Sequence, residues 1–225
     1  MLRIAIARVP AAAGQAMPAW FGESERRRWA TLPPRSHAAF VASRALLREL
    51  LASATGVADW DVTAEAGVAP AARAAGHAGA IHASLSHRLG WVAAAVADTA
   101  VGIDVECDRP ARGDPHERAA LMLAPEETAA WGAVAAADRE HALLARWTAK
   151  EAWFKAQPPQ SAPWDFRRVH ARAGDARDAR ANVRAWRAPG VHVAVCCEPA
   201  ALADVGCDGM PADSVESWWQ VGPSP

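Results

Sequence analysis

The sequence lacks any excess of charge, since 24 basic and 25 acidic residues give a net charge of −1 over 225 residues. This balance provides no general attraction to nucleic acid or to an anionic membrane. No stretch reaches the length of a membrane-spanning helix, and charged residues interrupt the apolar run of residues 1–8, which is typical of a strand and not of a signal peptide. We therefore expect a cytoplasmic monomer that binds neither nucleic acid nor membrane.

Cysteines are also few, and none has a partner at the spacing of a zinc site. The sequence contains no CxxC pair and no histidine at zinc-ligand distance from a cysteine. We expect the thiols to be reduced and packed in the interior. The four cysteines are Cys107, Cys196, Cys197 and Cys207.

Lysine is the scarcest cation, because 22 of the 24 basic residues are arginines and the two lysines, Lys150 and Lys155, lie in one short segment. An ammonium group is a compact charge with an adjustable pKa, whereas a guanidinium is a planar fork that keeps its proton. A site that transfers a proton or contacts one phosphate oxygen has reason to retain lysine. The alternative is an ordinary surface pair of Glu151 and Lys155, worth about 0.2–0.5 kcal/mol.

A helix predicted over residues 138–156 has an acidic residue in an apolar stripe. Leu144, Trp147, Glu151 and Phe154 recur at helical spacing and are predicted to face the core. Burying the carboxylate of Glu151 is costly unless a cation or a metal ion compensates its charge. The pattern therefore indicates a functional role for Glu151.

The strand predicted over residues 101–106 carries two more acids on one face. Residues alternate between the faces of a strand, so Asp104 and Glu106 lie on the same side. Their mutual repulsion favours a cation between them, and oxygen ligands without nearby cysteine or histidine suit Mg²⁺. The alternative is a solvated strand end.

Helices followed by strands occur twice along the chain, which predicts an α+β fold made of two similar subdomains. We place the halves at residues 1–106 and 107–225. The paired tryptophans Trp218 and Trp219 are predicted as a docked tail or an exposed apolar surface. Residues 222–225 are predicted as a frayed end.

Two sequence features of the first half are candidate anion sites. Arg44 and Arg48 lie one turn apart on a helix predicted over residues 36–52, which fits a phosphate clamp, although a solvated basic face is the alternative. Ser86 and His87 follow an extended segment and provide a hydroxyl and an imidazole. A polar turn with a hydrogen-bonded histidine is the alternative there.

Taken together, five motifs resemble a 4′-phosphopantetheinyl transferase of the surfactin-synthetase-activating type. The resemblance extends from about residue 20 to about residue 200, and the motifs occur in the order of the family. They are Arg44-x-x-x-Arg48, Ser84-Leu-Ser86-His87, Gly102-Ile-Asp104-Val-Glu106, Pro125-Glu126-Glu127 and Trp147-Thr-Ala-Lys150-Glu151-Ala-x-x-Lys155.

The resemblance implies transfer of 4′-phosphopantetheine from coenzyme A to a serine of an acyl or peptidyl carrier protein, with release of adenosine 3′,5′-bisphosphate. The two halves would be related by a pseudo-twofold axis, and coenzyme A would lie between them, with its nucleotide on the N-terminal half. The C-terminal half would supply the metal site and the catalytic helix. The carrier would belong to polyketide or nonribosomal peptide synthesis.

The same resemblance implies roles for the acids and lysines. Asp104, Glu106 and Glu151 would be the Mg²⁺ ligands. Lys155 would contact the phosphates at the reacting centre, and Lys150 would assist there.

It also implies roles in nucleotide and carrier binding. Ser86 and His87 would hold a coenzyme A phosphate, and Arg44 or Arg48 would contact the nucleotide end. Glu127 matches a family glutamate proposed as the base for the carrier serine. The lysine of the family's Gly-Lys-Pro motif is absent here, and Arg73 or Arg88 is the candidate replacement.

Two other classes of function remain open. A metal-dependent nuclease would use clustered acids and a lysine but needs a basic path for the phosphate backbone, which the dispersed arginines do not form. A non-catalytic module that binds coenzyme A or a carrier would not need the acids and Lys155.

Overall fold

The chain forms two main antiparallel sheets, each covered by one long helix. The computed structural model describes residues 1–75, 77–108, 114–158, 164–176 and 178–224. Residues 109–113, which follow the predicted boundary between the halves, lie outside the described residues.

The first sheet has three strands in the order β1-β5-β4, all antiparallel. Helix α2 begins with Pro34 in its first turn, where a missing N–H costs nothing, and ends at Gly56, whose φ of 74° is accessible to glycine. The elements are β1 (Leu2–Arg8), α1 (Glu23–Thr31), α2 (Pro34–Thr55), β2 (Asp61–Val62), β3 (Ala72–Arg73), β4 (His82–Arg88) and β5 (Trp91–Ala97).

The second sheet has five strands in the order β6-β9-β8-β10-β7, and all of its pairs are antiparallel. Short helices precede the long helix α5, which packs on β6 and β9. The elements are β6 (Gly102–Glu106), α3 (Pro115–Met122), α4 (Pro125–Gly132), α5 (Arg139–Ala156), β7 (Val169–Gly174), β8 (Val183–Ala188), β9 (Val191–Cys196), α6 (Pro199–Leu202) and β10 (Val215–Pro223).

The α+β class is confirmed, and the two sheets share a chain path. The order β1, α2, β4, β5 gives three strands arranged β1-β5-β4, and the order β6, α5, β8, β9 gives the arrangement β6-β9-β8. Strand β6 pairs with β9, so it belongs to the second sheet although the division at residue 106 assigns it to the first half. The pseudo-twofold axis itself stays a prediction.

Apolar side chains fill three spaces around these sheets. One cluster lies between the sheets and includes Ile4, Ile103 and Val193. A second separates the first sheet from α2, and a third separates the second sheet from α5. Of the helices within the described ranges, none combines the length and apolar character needed to cross a membrane.

The prediction of a frayed C-terminal end is wrong. Residues 222 and 223 belong to β10, which lies between β7 and β8, and the N–H of Ser224 donates to the carbonyl of Arg168. Trp219 is buried in this strand, where it packs in the cluster beneath α5. Cys107, Cys196 and Cys197 are buried, and Cys207 is half-buried.

Candidate active site

The site is built where β6 approaches α5. A Cβ added to Gly102 would lie 2.0 Å from the carbonyl oxygen of Ala152, so only glycine permits this spacing. Ile103 and Val105 face the core between the sheets, as their alternation predicts. Asp104 and Glu106 are therefore directed away from that core, and the close approach brings them near the acids and bases of the helix.

Asp104 is almost fully buried and is the centre of the cluster. Its Oδ1 accepts hydrogen bonds from Ser86 Oγ at 2.8 Å and from Lys155 Nζ at 2.6 Å. Its Oδ2 is buried and, when Glu151 is ionised, receives no hydrogen bond from the described residues. One oxygen is thus held in place while the other has coordination capacity left.

Glu106, the second acid of the strand, is also buried. Its carboxylate forms an ion pair with Arg88, with 3.0 Å between Oε2 and Nε. Arg88 lies at the end of β4, in the other sheet. The pair therefore joins the two sheets beside the cluster.

Glu151 completes the set of acids from the helix. Its carboxylate lies 3.5 Å from Lys155 Nζ, and 20% of its side chain is exposed. Burial, followed by the charge of Asp104, raises the pKa of Glu151 to about 7. Without a metal ion the cluster therefore holds a proton near neutral pH, which is expected where more negative charge is gathered than Lys155 balances.

The apolar stripe predicted on α5 is displaced around the helix. Ala149, Ala152 and Phe154 are buried, whereas Leu144 and Trp147 are half-buried and line a cavity shared with Glu106. Glu151 consequently is half-buried and does not lie within the core.

Lys150 and Glu127 contact each other and not the acids of this cluster, and their predicted roles at the reacting centre and as the base for the carrier serine stay predictions. Lys150 is fully buried, and its ammonium group donates to the carbonyls of Met122 and Phe166, each at 2.9 Å, and to Glu127. Glu127 also accepts from the N–H groups of Ala124 and Ala171. The pair is a buried joint between α4, α5 and β7, with no contact to the acids of β6.

Arg44 and Arg48 are also engaged inside the fold and do not form a free phosphate clamp. Arg48 makes a two-pronged ion pair with the fully buried carboxylate of Glu25. Arg44 donates to the carbonyl of Thr63 at 3.0 Å and lies over the ring of Phe40. Both arginines secure α2 in this structure.

Ser86 and His87 separate because adjacent residues of a strand face opposite ways. Ser86 is buried and donates to Asp104, so it positions the acid. The side chain of His87 is exposed overall. Partial loss of solvent around the imidazole, followed by the charges of Lys155 and Arg88, lowers its pKa. The imidazole is therefore mainly neutral at pH 7, with an N–H to donate.

Sequence reasoning missed the role of Ser84. Its hydroxyl accepts the N–H of Ile103 at 3.0 Å, which joins the edge of β4 to the edge of β6. Ser84 and Ser86 are both buried, two residues apart on one strand. The available signal was the spacing of two hydroxyls on one face of a predicted strand.

The oxygen-rich cluster fits a hard divalent cation. The geometry gathers carboxylates from Asp104, Glu106 and Glu151, leaves Asp104 Oδ2 without a donor, and raises the pKa of Glu151. Mg²⁺ takes a few carboxylates and completes its octahedron with water and phosphate oxygens. The carboxylate oxygens and the excess of negative charge in the cluster both suit that ion.

One comparison with known proteins gives a match. Residues 100–196 match the family model of the 4′-phosphopantetheinyl transferase superfamily. The matched segment contains β6, α5 and all three acids of the cluster. No curated protein matches the chain. The match supports transfer of phosphopantetheine as the general activity of this segment.

Proposed function

We propose that the protein transfers the 4′-phosphopantetheine moiety of coenzyme A to a serine hydroxyl of an acyl or peptidyl carrier protein. The products would be the holo carrier and adenosine 3′,5′-bisphosphate. The observation that carries the proposal is the convergence of Asp104, Glu106, Glu151 and Lys155 within the segment that matches the superfamily model.

The residues of the chain would bind the pyrophosphate and offset its charge. Asp104, Glu106 and Glu151 would hold Mg²⁺, which when bound supplies a Lewis acid for the phosphate oxygens. Lys155, which has 21% of its side chain exposed, would exchange its contact with Asp104 for a phosphate oxygen and compensate the charge of the leaving group. Catalysis of this type depends mainly on positioning and electrostatics.

Arg88 is the candidate replacement for the missing lysine of the Gly-Lys-Pro motif. Its guanidinium lies beside Glu106 and about a third of its side chain is exposed. Once a cation binds Glu106 and compensates its charge, Arg88 would be free to contact a phosphate group beside the acid cluster. His87, which is exposed to solvent and lies near the charges of Lys155 and Arg88, would donate to the 3′-phosphate.

The finer assignment follows the resemblance. The proposed type is the surfactin-synthetase-activating transferase, in which two halves related by a pseudo-twofold axis enclose coenzyme A. The matching strand and helix order of the two sheets supports this arrangement. The natural substrates would be carriers of polyketide or nonribosomal peptide synthesis in the cytoplasm.

The direct test incubates the protein with coenzyme A, Mg²⁺ and a panel of apo carrier proteins, and measures the carrier mass. We expect a gain equal to one phosphopantetheine group on the carrier serine. Asp104→Ala and Glu151→Gln should remove the gain, because each deletes a ligand charge, while the proteins stay folded by circular dichroism.

Two results would contradict the proposal. Tight binding of coenzyme A with no mass gain on any carrier would indicate a non-catalytic binding module. Full transfer activity in excess chelator would show that the acid cluster does not act through a metal ion.

A further inference from the structure

A second group of metal-type ligands lies beyond the end of β6. Asp108 follows that strand, His192 lies on β9 in register with Glu106, and His141 lies in the first turn of α5. One ligand atom from each side chain falls within 4.8 Å of the other two. Three separate elements thus place two imidazoles and a carboxylate together, outside the acid cluster described above.

Hydrogen bonds already orient these side chains. His192 Nε2 lies 2.9 Å from Asp108 Oδ1, and the N–H of Gly190 donates to Asp108 Oδ2 at 3.0 Å. His192 is buried, His141 is half-buried and Asp108 is exposed. The site is therefore anchored on its β9 side and open to solvent on the other.

We propose that Asp108, His141 and His192 bind a divalent transition-metal ion of the Zn²⁺ class. Imidazole nitrogens suit Zn²⁺, whereas Mg²⁺ prefers oxygen ligands. A tetrahedral ion with bonds of 2.0–2.1 Å holds its ligand atoms roughly 3.4 Å apart. A small rotation of the half-buried His141 would bring its ligand nitrogen to that distance from the other two ligand atoms. The proposal does not depend on the transferase activity.

The surroundings leave a coordination position open. His141 lines two cavities, one shared with Glu106 and Trp147 and the other with Arg187 and Trp186. A fourth ligand, water or an anionic group, has access from either side. An ion held by three protein ligands with an open position is characteristic of exchangeable or reactive sites and not of closed structural ones.

Replacing Arg187 should change the affinity for the metal ion in the opposite direction to replacing a ligand. Its Nη1 lies 3.3 Å from His141 Nδ1, and because a guanidinium only donates, the imidazole must accept. The arginine thus competes for the imidazole and adds a positive charge beside the site. Removing it should strengthen metal binding, whereas removing a ligand should weaken it.

The experiment titrates the intact protein with Co²⁺, a spectroscopic substitute for Zn²⁺, in excess Mg²⁺ that occupies the oxygen cluster. We expect one ion per chain and the visible absorption of a low-symmetry cobalt site with nitrogen and oxygen ligands. His141→Ala should weaken binding by about tenfold or more, and Arg187→Ala should tighten it. His82→Ala, an exposed histidine at the start of β4, is the matched control and should bind as the parent protein does.

His141 is the primary variant because it is half-buried and near a helix end, so its replacement should leave the fold intact; circular dichroism checks this. The proposal is overturned if the parent protein takes up no Co²⁺, or if His141→Ala and His82→Ala bind it equally. Weaker binding in Arg187→Ala would also overturn it. Thiolate charge-transfer bands would place the ion on cysteine instead.

Discussion

The two lysines of the chain should have different functions, and replacing each by methionine separates them. Lys150→Met deletes the only ammonium that contacts Glu127 among the described residues and leaves the carbonyls of Met122 and Phe166 without their donor. Breaking a buried ion pair by removing one partner typically costs about 3–5 kcal/mol, because the other charge stays buried. We therefore expect a large loss of stability.

In a chain of this size each kcal/mol lowers the melting temperature by about 2–4 °C, so the expected shift is roughly 10 °C. Thermal unfolding followed by circular dichroism measures it. Adding Glu127→Gln to Lys150→Met should recover part of the loss, since the double variant no longer buries an unpaired carboxylate. The coupling between the two sites should fall within about 0.5–3 kcal/mol.

Lys155→Met is the matched control. Lys155 is partly exposed, and Glu151, with a pKa of about 7, can take up a proton to offset the lost charge. We expect a melting temperature close to that of the parent protein and no measurable transfer. If Lys150→Met instead kept the parent melting temperature and lost turnover, the structural role of Lys150 would be refuted and a role in the chemistry restored.

Three further predictions concern the acid cluster and the residues beside it. Lys155→Arg should reduce turnover about tenfold, equivalent to about 1.4 kcal/mol in the barrier, because the wider guanidinium does not replace a compact ammonium at a phosphate oxygen; parent-like turnover would contradict this. The affinity for Mg²⁺, measured by calorimetry, should increase as the pH rises toward 7 and level off above it, since Glu151 must release a proton to become a ligand; a pH-independent affinity would exclude Glu151. Finally, His87→Ala should raise the Michaelis constant for coenzyme A more than that for 3′-dephospho-coenzyme A, and equal increases would place His87 away from the 3′-phosphate.

The pKa of Glu151 also predicts how the metal-free fold responds to pH. The folded pKa of about 7 lies above the ordinary value of 4.5, so the folded state binds more protons than the unfolded chain between these values. The free energy of unfolding should therefore fall as the pH rises from about 4.5 to about 7. Mg²⁺ should reverse this loss by compensating the carboxylates.

Much of the fold was predictable because its signals are local. The bounds of α5 and β6 agree to within one residue with the predicted segments at residues 138–156 and 101–106. Each segment has apolar residues at the spacing typical of its element. The acids of β6 were predictable for the same reason, since strand alternation alone separates Asp104 and Glu106 from Ile103 and Val105.

The errors arose where a partner is distant in the chain. Strand β10 is held between β7 and β8, whose sequences lie about 30 to 50 residues earlier. The ion pair of Arg48 was not predictable either, because its partner Glu25 belongs to another helix, 23 residues away. Sequence spacing shows that a guanidinium is available on a face, but it does not show which carboxylate already occupies it.

The chain has lysine and not arginine at Lys150 and Lys155 for two different physical reasons. Five positions along a helix correspond to roughly 140° around its axis, so Lys150 and Lys155 face different neighbours. At Lys150 three acceptors surround one nitrogen in the interior, which matches the three N–H donors of an ammonium and not a planar guanidinium. At Lys155 the ammonium is partly exposed and lies against Asp104 and Glu151. The compact ammonium group therefore suits both positions. It joins buried elements at Lys150 and is a candidate phosphate contact at Lys155.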